Sequence, residues 1–398
     1  MAFSGLVLAA SLLLQRFGIP AGDDKSISIV GPIGLAIAAF GLLRGTLAFD
    51  RGRLAAYLTL VGWAILGAMW HELRASSFDA PLSFQSLGQF LLVSSFATLS
   101  FAQPVDEQRF FRLTNAWLAV IAVAGLLQFA AQFVGVRVFA FSPFLPHQIL
   151  LESDYNLVIS TGVGSIDKSN GFFTVEPSVF SQLMAIALII EILALRRLRF
   201  LMLFAIGLML SFSGTGWIVL ASFVLAAAVS LGSRGLVVAV ATLFVLGVTI
   251  GVALLVAPDL IAIFSDRISE FSRVGTSGYL RFVTPFRLVS DVLGRDPSAA
   301  LLGIGSGASQ RLTLAYEYSI NTPIKIAIEY GFPALLTYVL LFILGRRTVL
   351  QGALLVPGIV LLLFAGGYQQ FPPVLFPILL IISVAQLRPG GDEVKRPS

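Results

Sequence analysis

The chain has 398 residues, 57% of them hydrophobic and only 12% charged. Soluble globular proteins carry about 25% charged residues, so the composition excludes a soluble domain. There is no cysteine, which excludes disulfides, thiolate metal sites and cysteine nucleophiles. The formal net charge is a modest +5, carried by 22 arginines and 4 lysines, and arginine is the better bidentate partner for phosphate and carboxylate.

Continuous apolar runs near 20 residues, the length that crosses a hydrocarbon core, predict an all-α polytopic membrane protein. A barrel would show short alternating segments instead. In chain order, hydropathy predicts about twelve transmembrane helices, roughly 2–17, 27–43, 54–71, 84–102, 112–135, 177–195, 199–212, 216–232, 235–257, 322–344, 349–365 and 371–387. The opening MAFSGLVLAASLLLQ lacks the basic stretch of a signal peptide and reads as the first span.

Basic residues orient this bundle. One set of alternate loops and the tail hold 14, among them Arg44, Arg51, Arg53, Arg109, Arg112, Arg196, Arg197 and Arg199; the short loops on the other side hold three, Arg16, Lys25 and Arg74. The positive-inside bias puts both termini in the cytoplasm. Residues 1–398 then form a single polytopic domain with two long extracytoplasmic segments, 136–176 and 258–321. The second holds six arginines against six acids, so it is no nucleic-acid patch.

Within the first long segment, DKSNGFF leads to Glu176, with Pro177 suited to the first turn of the sixth span. Two readings stand for this glutamate. It can interact with the positive end of the helix dipole, or it can be a partly desolvated carboxylate poised to accept a proton. In the second long segment, TPFRLVSDVLG has helix punctuation, with Thr284 as N-cap, Pro285 in the first turn and Gly294 closing the end. Its apolar face predicts a helix on the membrane surface or roofing a cavity. Arg287, Asp291 and Arg295 follow one another at four-residue spacing and suit a self-paired ladder. Arg281 has no acid at three or four residues, which leaves it either an anion-binding arginine or a solvated loop residue.

Other polar residues have plainer explanations. Lys325 and Glu329 are spaced as an ion pair, and Glu191 can reach toward Arg196. His71 and His147 are too isolated for a metal site. LLGIGSG (301–307) could cradle a phosphate through backbone amides, though glycine-rich turns are common. Asp23 and Asp24 in AGDDKS (21–26) could serve a metal-dependent glycosyltransferase.

GTLAFDRGR (45–53) resembles the cytoplasmic motif between the second and third helices of major facilitator transporters. The spacing departs from it, with Phe49 inserted and no residue between Arg51 and Gly52. A twelve-helix transporter or flippase is the non-enzyme alternative. The better likeness rests on three segments: KSNGFFTVEPSVFSQ, SFSGTGW, and a run from SGYLR through LLGIGSGAS to NTPIKIAIEYGFPALL. In order and spacing they resemble the O-antigen polymerase and ligase superfamily. The family's first motif usually opens with arginine where this chain has Lys168. Its ligase branch usually carries histidine where Ile320 precedes Asn321, so the chain looks more like a Wzy-type polymerase than an O-antigen ligase.

That resemblance implies a metal-independent, inverting glycosyltransferase in the bacterial inner membrane that needs no cofactor. Its donor would be a polyprenyl-diphosphate-linked oligosaccharide held among membrane lipids, without nucleic acid. Partner proteins are a chain-length regulator and a flippase. Glu176 is expected as general base and Arg281 as the cation that stabilises the departing diphosphate. Lys168, Arg287 and Arg311 are expected to support the diphosphate, and Asn321, Tyr279 and Gln182 to bind sugar hydroxyls.

Overall fold

A computed structural model describes residues 2–20, 26–73, 82–136 apart from 104, 141, 144–151, 158–161, 164–230, scattered positions of 235–251, 272–312, 320–344, 349–364 and single positions of 376–388. Eight helices come first: α1 (Ala2–Leu13), α2 (Val30–Leu43), α3 (Arg51–Leu73), α4 (Phe84–Ser95), α5 (Glu107–Ala131), α6 (Pro177–Ile190), α7 (Leu198–Leu210) and α8 (Gly214–Ser230). Beyond residue 271 follow α9 (Ser277–Phe282), α10 (Thr284–Arg295), α11 (Ala299–Leu302), α12 (Thr322–Tyr330), α13 (Phe332–Ile343) and α14 (Val349–Phe364).

Among the described residues, strands occur as short pairs: β1 (Gly18–Pro20) with β2 (Ser26–Ser28), β3 (Leu47–Phe49) with β4 (Leu99–Phe101), β5 (Val105–Asp106) with β8 (Leu387–Arg388), and β6 (Val158–Thr161) with β7 (Gly164–Asp167). Among the described residues three helices are long and apolar enough to cross a membrane: Arg51–Leu73, Gln108–Val134 and Pro177–Leu195. Shorter apolar helices of 10–17 residues stand beside them. The predicted span 322–344 is two helices, α12 and α13, meeting at Gly331. The predicted spans 235–257 and 371–387 lie mostly outside the described residues.

The α1–α2 and α5–α6 connections meet at one end of the bundle, where Arg16 and Phe17 contact Leu150, Leu151 and Thr174. Three backbone contacts tie that end together: Ile29 N–H to Phe17 O at 3.1 Å, Leu151 N–H to Arg16 O at 2.8 Å, and Ser83 N–H to Ser306 O at 2.9 Å. The opposite end carries Arg44, Arg53, Arg109 and Arg197. Arg53 is not a loop cation. It is buried in the first turn of α3, where Asp50 caps its amide at 2.9 Å, and its Nε donates to Leu344 O at 3.0 Å. The transporter-like motif therefore has a local structural use.

All of α6 is buried, as an apolar-all-round helix must be to count as interior. Its neighbours α1, α5, α7 and α8 form one apolar cluster, while α2, α3, α4, α12 and α13 form another. Helix α14 serves both, with Leu354 and Leu361 turned to the first and Leu355 and Leu362 to the second. Between apolar helices in lipid, close packing of small residues replaces the hydrophobic effect. Accordingly Gly216 stands where a Cβ would come within 2.5 Å of Ser181 O.

The second long segment is partly packed into the bundle. Trp63 of α3 donates from Nε1 to Leu301 O at 2.9 Å, and a Cβ on Gly67 would lie 2.6 Å from Leu302 O. Thr284 is not the cap expected of it, because its hydroxyl donates back to Leu280 O at 2.7 Å and joins α9 to α10. Leu288 and Val292 of α10 cover Ala299, Ile304, Ala308 and Ile328, so the amphipathic helix roofs this segment. Gly303 (φ 72°) and Gly331 (φ 85°) lie backbone to backbone with residues 329–330 and 301–302, where any Cβ would collide. The glycine-rich run is a packing device: the amides of Ile304 and Gly305 are spent on Ile328 O and Glu329 O at 2.8 and 3.2 Å. Gly303→Ala and Gly331→Ala are each expected to destabilise by upward of ~2 kcal/mol, by strain and overpacking. Gly62→Ala, facing open space within α3, should be neutral or slightly stabilising. Unfolding midpoints in detergent check both.

Candidate active site

The segment from Asp167 to Glu176 enters α6 through a buried loop. Lys168, Ser169, Asn170 and Thr174 are all buried, and polar groups in such a place need partners. Helix α5 supplies them one turn apart. Gln128 Oε1 accepts from Asn170 N–H at 3.0 Å and from the Ser169 hydroxyl at 3.1 Å, while its Nε2 donates to Asn170 Oδ1 at 2.8 Å. Gln132 exchanges two bonds with the Asp167 backbone, at 3.0 and 3.2 Å. Thr174 then donates to Asn170 O at 2.6 Å and to Glu176 O at 3.1 Å.

Backbone shape is forced at the turn. Gly171 (φ 67°) and Phe172 (φ 63°) are both left-handed, which is unusual for a bulky residue. A Cβ at Gly171 would strike Phe180 at 2.5 Å, and one at Gly125 would strike the same ring at 2.7 Å. The ring of Phe180 in α6 thus fits between glycines of the loop and of α5. Above it, Phe17, Phe141, Phe172 and Phe173 form an aromatic cluster with centroids 4.4–5.9 Å apart.

Glu176 occupies the N-cap position of α6 in extended conformation, with Pro177 in the first turn, yet its side chain makes no cap bond to the helix. Its carboxylate instead accepts the Ser178 hydroxyl, and the residue is half-buried. The second segment, SFSGTGW, docks beside it. Thr215 Oγ1 donates to Ser178 O at 3.1 Å, lies 3.0 Å from Ser181 Oγ and 3.1 Å from Ser213 Oγ, and Ser181 Oγ accepts Gly216 N–H at 3.1 Å. Two of the three segments singled out in the sequence therefore meet at the start of α6, where Gln182 is also buried.

The remaining predicted residues belong to a second scaffold. Tyr279 is half-buried in α9. Arg287 and Arg311 are exposed, on α10 and just after a 3-10 turn. Asn321 caps α12 by accepting Ile324 N–H at 3.1 Å. Arg281 falls in α9, and its side chain lies outside the described set. Helix α14 packs on α6, α8 and α12. The Lys325–Glu329 pair forms as expected, at 3.9 Å and fully buried, with the Ser309 hydroxyl also on Glu329. Glu191 pairs with Arg197 and not Arg196, because Arg196 turns left-handed (φ 55°) to end the helix; Asn115 Nδ2 adds a bond to Glu191 at 2.9 Å. Among the described residues no three His, Asp or Glu side chains gather as a metal site, and Asp23 and Asp24 lie outside the described residues.

Sequence reasoning missed Gln128, Gln132 and Arg16. The glutamines stand four apart on an otherwise apolar helix, a stripe that could have marked a buried polar partner. Arg16 carries no such signal. Its Nε donates to Thr174 O at 2.7 Å, and it is 2% exposed. Removing Gln128's bonds in Gln128→Leu should speed hydrogen exchange at the Asn170 amide by about tenfold, from ~1 kcal/mol per lost bond, as read by exchange mass spectrometry.

Lys168 and Glu176 lie on this one loop, Lys168 buried and Glu176 half-buried. No curated protein and no solved structure matches the chain. The sequence does match the family described as WcaD colanic acid polymerase, over residues 4–342, a stretch that contains the buried loop, the Ser/Thr break and the glycine-rich segment alike. The chain belongs to the WcaD colanic acid polymerase family, whose members are Wzy-type polysaccharide polymerases.

Proposed function

We propose that the protein elongates an exopolysaccharide at the outer face of the bacterial inner membrane, as a single domain of about twelve spans with both termini in the cytoplasm. It joins repeat units carried on polyprenyl diphosphate. The acceptor sugar hydroxyl attacks the anomeric carbon of the donor glycan. The bond from that carbon to the diphosphate breaks, its electron pair leaves with the polyprenyl diphosphate, and the hydroxyl proton passes to Glu176. A single displacement inverts the anomeric configuration.

The observation that carries this reading is the disposition of Glu176. A carboxylate at an N-cap ordinarily serves the helix amides; this one does not cap α6, and it stands at the open end of the most buried helix. A base in such a place is positioned by the fold. The leaving diphosphate gains charge as the bond breaks, and fixed cations stabilise that growth more than they stabilise the bound donor. Arg281 takes this role, with Lys168, Arg287 and Arg311 as further cations. Arg287 and Arg311 are exposed and can meet a headgroup from the membrane side. Asn321 and Tyr279 contact sugar hydroxyls, while Gln182, buried inside α6, does not reach them. Ile320, in place of the ligase histidine, favours polymerisation over transfer to another acceptor.

Chain extension of a synthetic polyprenyl-diphosphate repeat unit in nanodiscs, with EDTA and mass-spectrometric readout, tests the reading. Wild type should give dimers and longer oligomers. Glu176→Gln should lose at least ~10²-fold in rate, the usual weight of a general base, and full activity would remove Glu176 from the role. Arg281→Gln should lose about 10²-fold, as when one charge-stabilising donor is deleted. Product that appears only with added Mn²⁺ would move the chemistry to Asp23 and Asp24.

A further inference from the structure

Arg16 stands in the connection after α1, a part of the chain that holds none of the residues assigned so far. It is buried, and burying a guanidinium carries a large desolvation cost. Its Nε–H holds the Thr174 carbonyl at 2.7 Å, a short charge-assisted bond. The Thr174 hydroxyl in turn donates to Glu176 O at 3.1 Å and to Asn170 O at 2.6 Å. One bond thus runs from the end of α1 to the Thr174 carbonyl, and the Thr174 hydroxyl reaches the backbone on both sides.

The same residue ties down the other half of the segment. Leu151 N–H donates to Arg16 O at 2.8 Å, and Phe17 pairs antiparallel with Leu150. Phe17 also packs on Phe141 at 5.0 Å, and Phe141 on Phe172 at 4.4 Å. Phe172 and Gly171 are left-handed, a strained arrangement that persists only where the surroundings over-determine it. Arg16 is placed to supply that determination, where the two halves of the loop cross α1.

We propose that Arg16 is a positioning residue for Glu176: it clamps the Thr174 carbonyl and so fixes where the carboxylate meets the acceptor hydroxyl. The inference rests on the base role proposed for Glu176. It requires that losing the clamp slow turnover without weakening donor binding, and that this effect vanish once the carboxylate is gone.

The test is a double-mutant cycle on the full chain in nanodiscs with the polyprenyl-diphosphate repeat unit. Arg16→Gln should lower kcat about 10²-fold, the scale of a small misplacement, at unchanged donor KM, and Arg16→Lys should recover most of that loss. In the Glu176→Gln background Arg16→Gln should bring no further fall, because residues acting as a unit are not additive. Equal losses in both backgrounds, a rise in donor KM alone, or full activity of Arg16→Gln would each overturn the clamp. If Arg16→Gln does not fold, Arg16→Lys, which loses the Nε bond but keeps the charge, decides: its smaller loss in kcat should likewise vanish in the Glu176→Gln background. Glu176→Gln is also measured alone, so full activity there sinks the base reading separately from the clamp.

Discussion

A helix buried on every side can meet polar chemistry only at its ends, and α6 sets that constraint for the whole molecule. None of its fourteen residues from Pro177 to Ile190 is open to lipid or water. Small residues around it let neighbouring backbones close in, and the glycines at 125, 171, 207 and 216 each make room for one of its side chains or carbonyls. Both of its ends carry a glutamate, and the fold treats them in opposite ways. Glu191 is consumed by Arg197 and Asn115, a paired and hydrogen-bonded charge of the kind a membrane interior tolerates. Glu176 caps no helix amide, and its carboxylate accepts the Ser178 hydroxyl.

Polar economy explains the loop before α6. Ser169 and Asn170 are buried where unmet hydrogen bonds would be costly, and one side chain, Gln128, answers three of their groups. A dense network of this kind rigidifies a segment when it is satisfied. The consequence for function is direct: a carboxylate on such a loop has little freedom, and orientation bought during folding need not be supplied during the reaction.

The later half of the chain solves a related problem with glycine. Helices α12 and α13 break at Gly331, and the freed backbone is met by residues 301–305 in close antiphase. Irregular backbone at the depth of a span is tolerated where it is buried in protein. The buried Lys325–Glu329 pair sits in the turn before the break and gives the broken helix a fixed polar core. Helix α14, facing both apolar clusters, couples this scaffold to α6 without placing the second group of cations on the same element as Glu176.

Much of this was open to reading in the chain itself. Apolar runs determine the helices, because lipid imposes length rules that act locally, and the three segments that resemble the polymerase superfamily mark the family. Pro177 after Glu176 marks the start of α6 for the same reason. Other features depend on residues far apart. Arg16 meets Thr174 across 158 positions and Trp63 meets Leu301 across 238. Thr284 surrendered its expected cap because Leu280 O was nearer. Within the glycine-rich run 301–307, the amides of Ile304 and Gly305 meet the backbone of α12. Hydropathy and spacing determined which segments become helices; tertiary structure alone decided which polar groups lie among them, because a buried hydrogen bond is set by the neighbour that folding brings, and that neighbour leaves no local mark in the sequence.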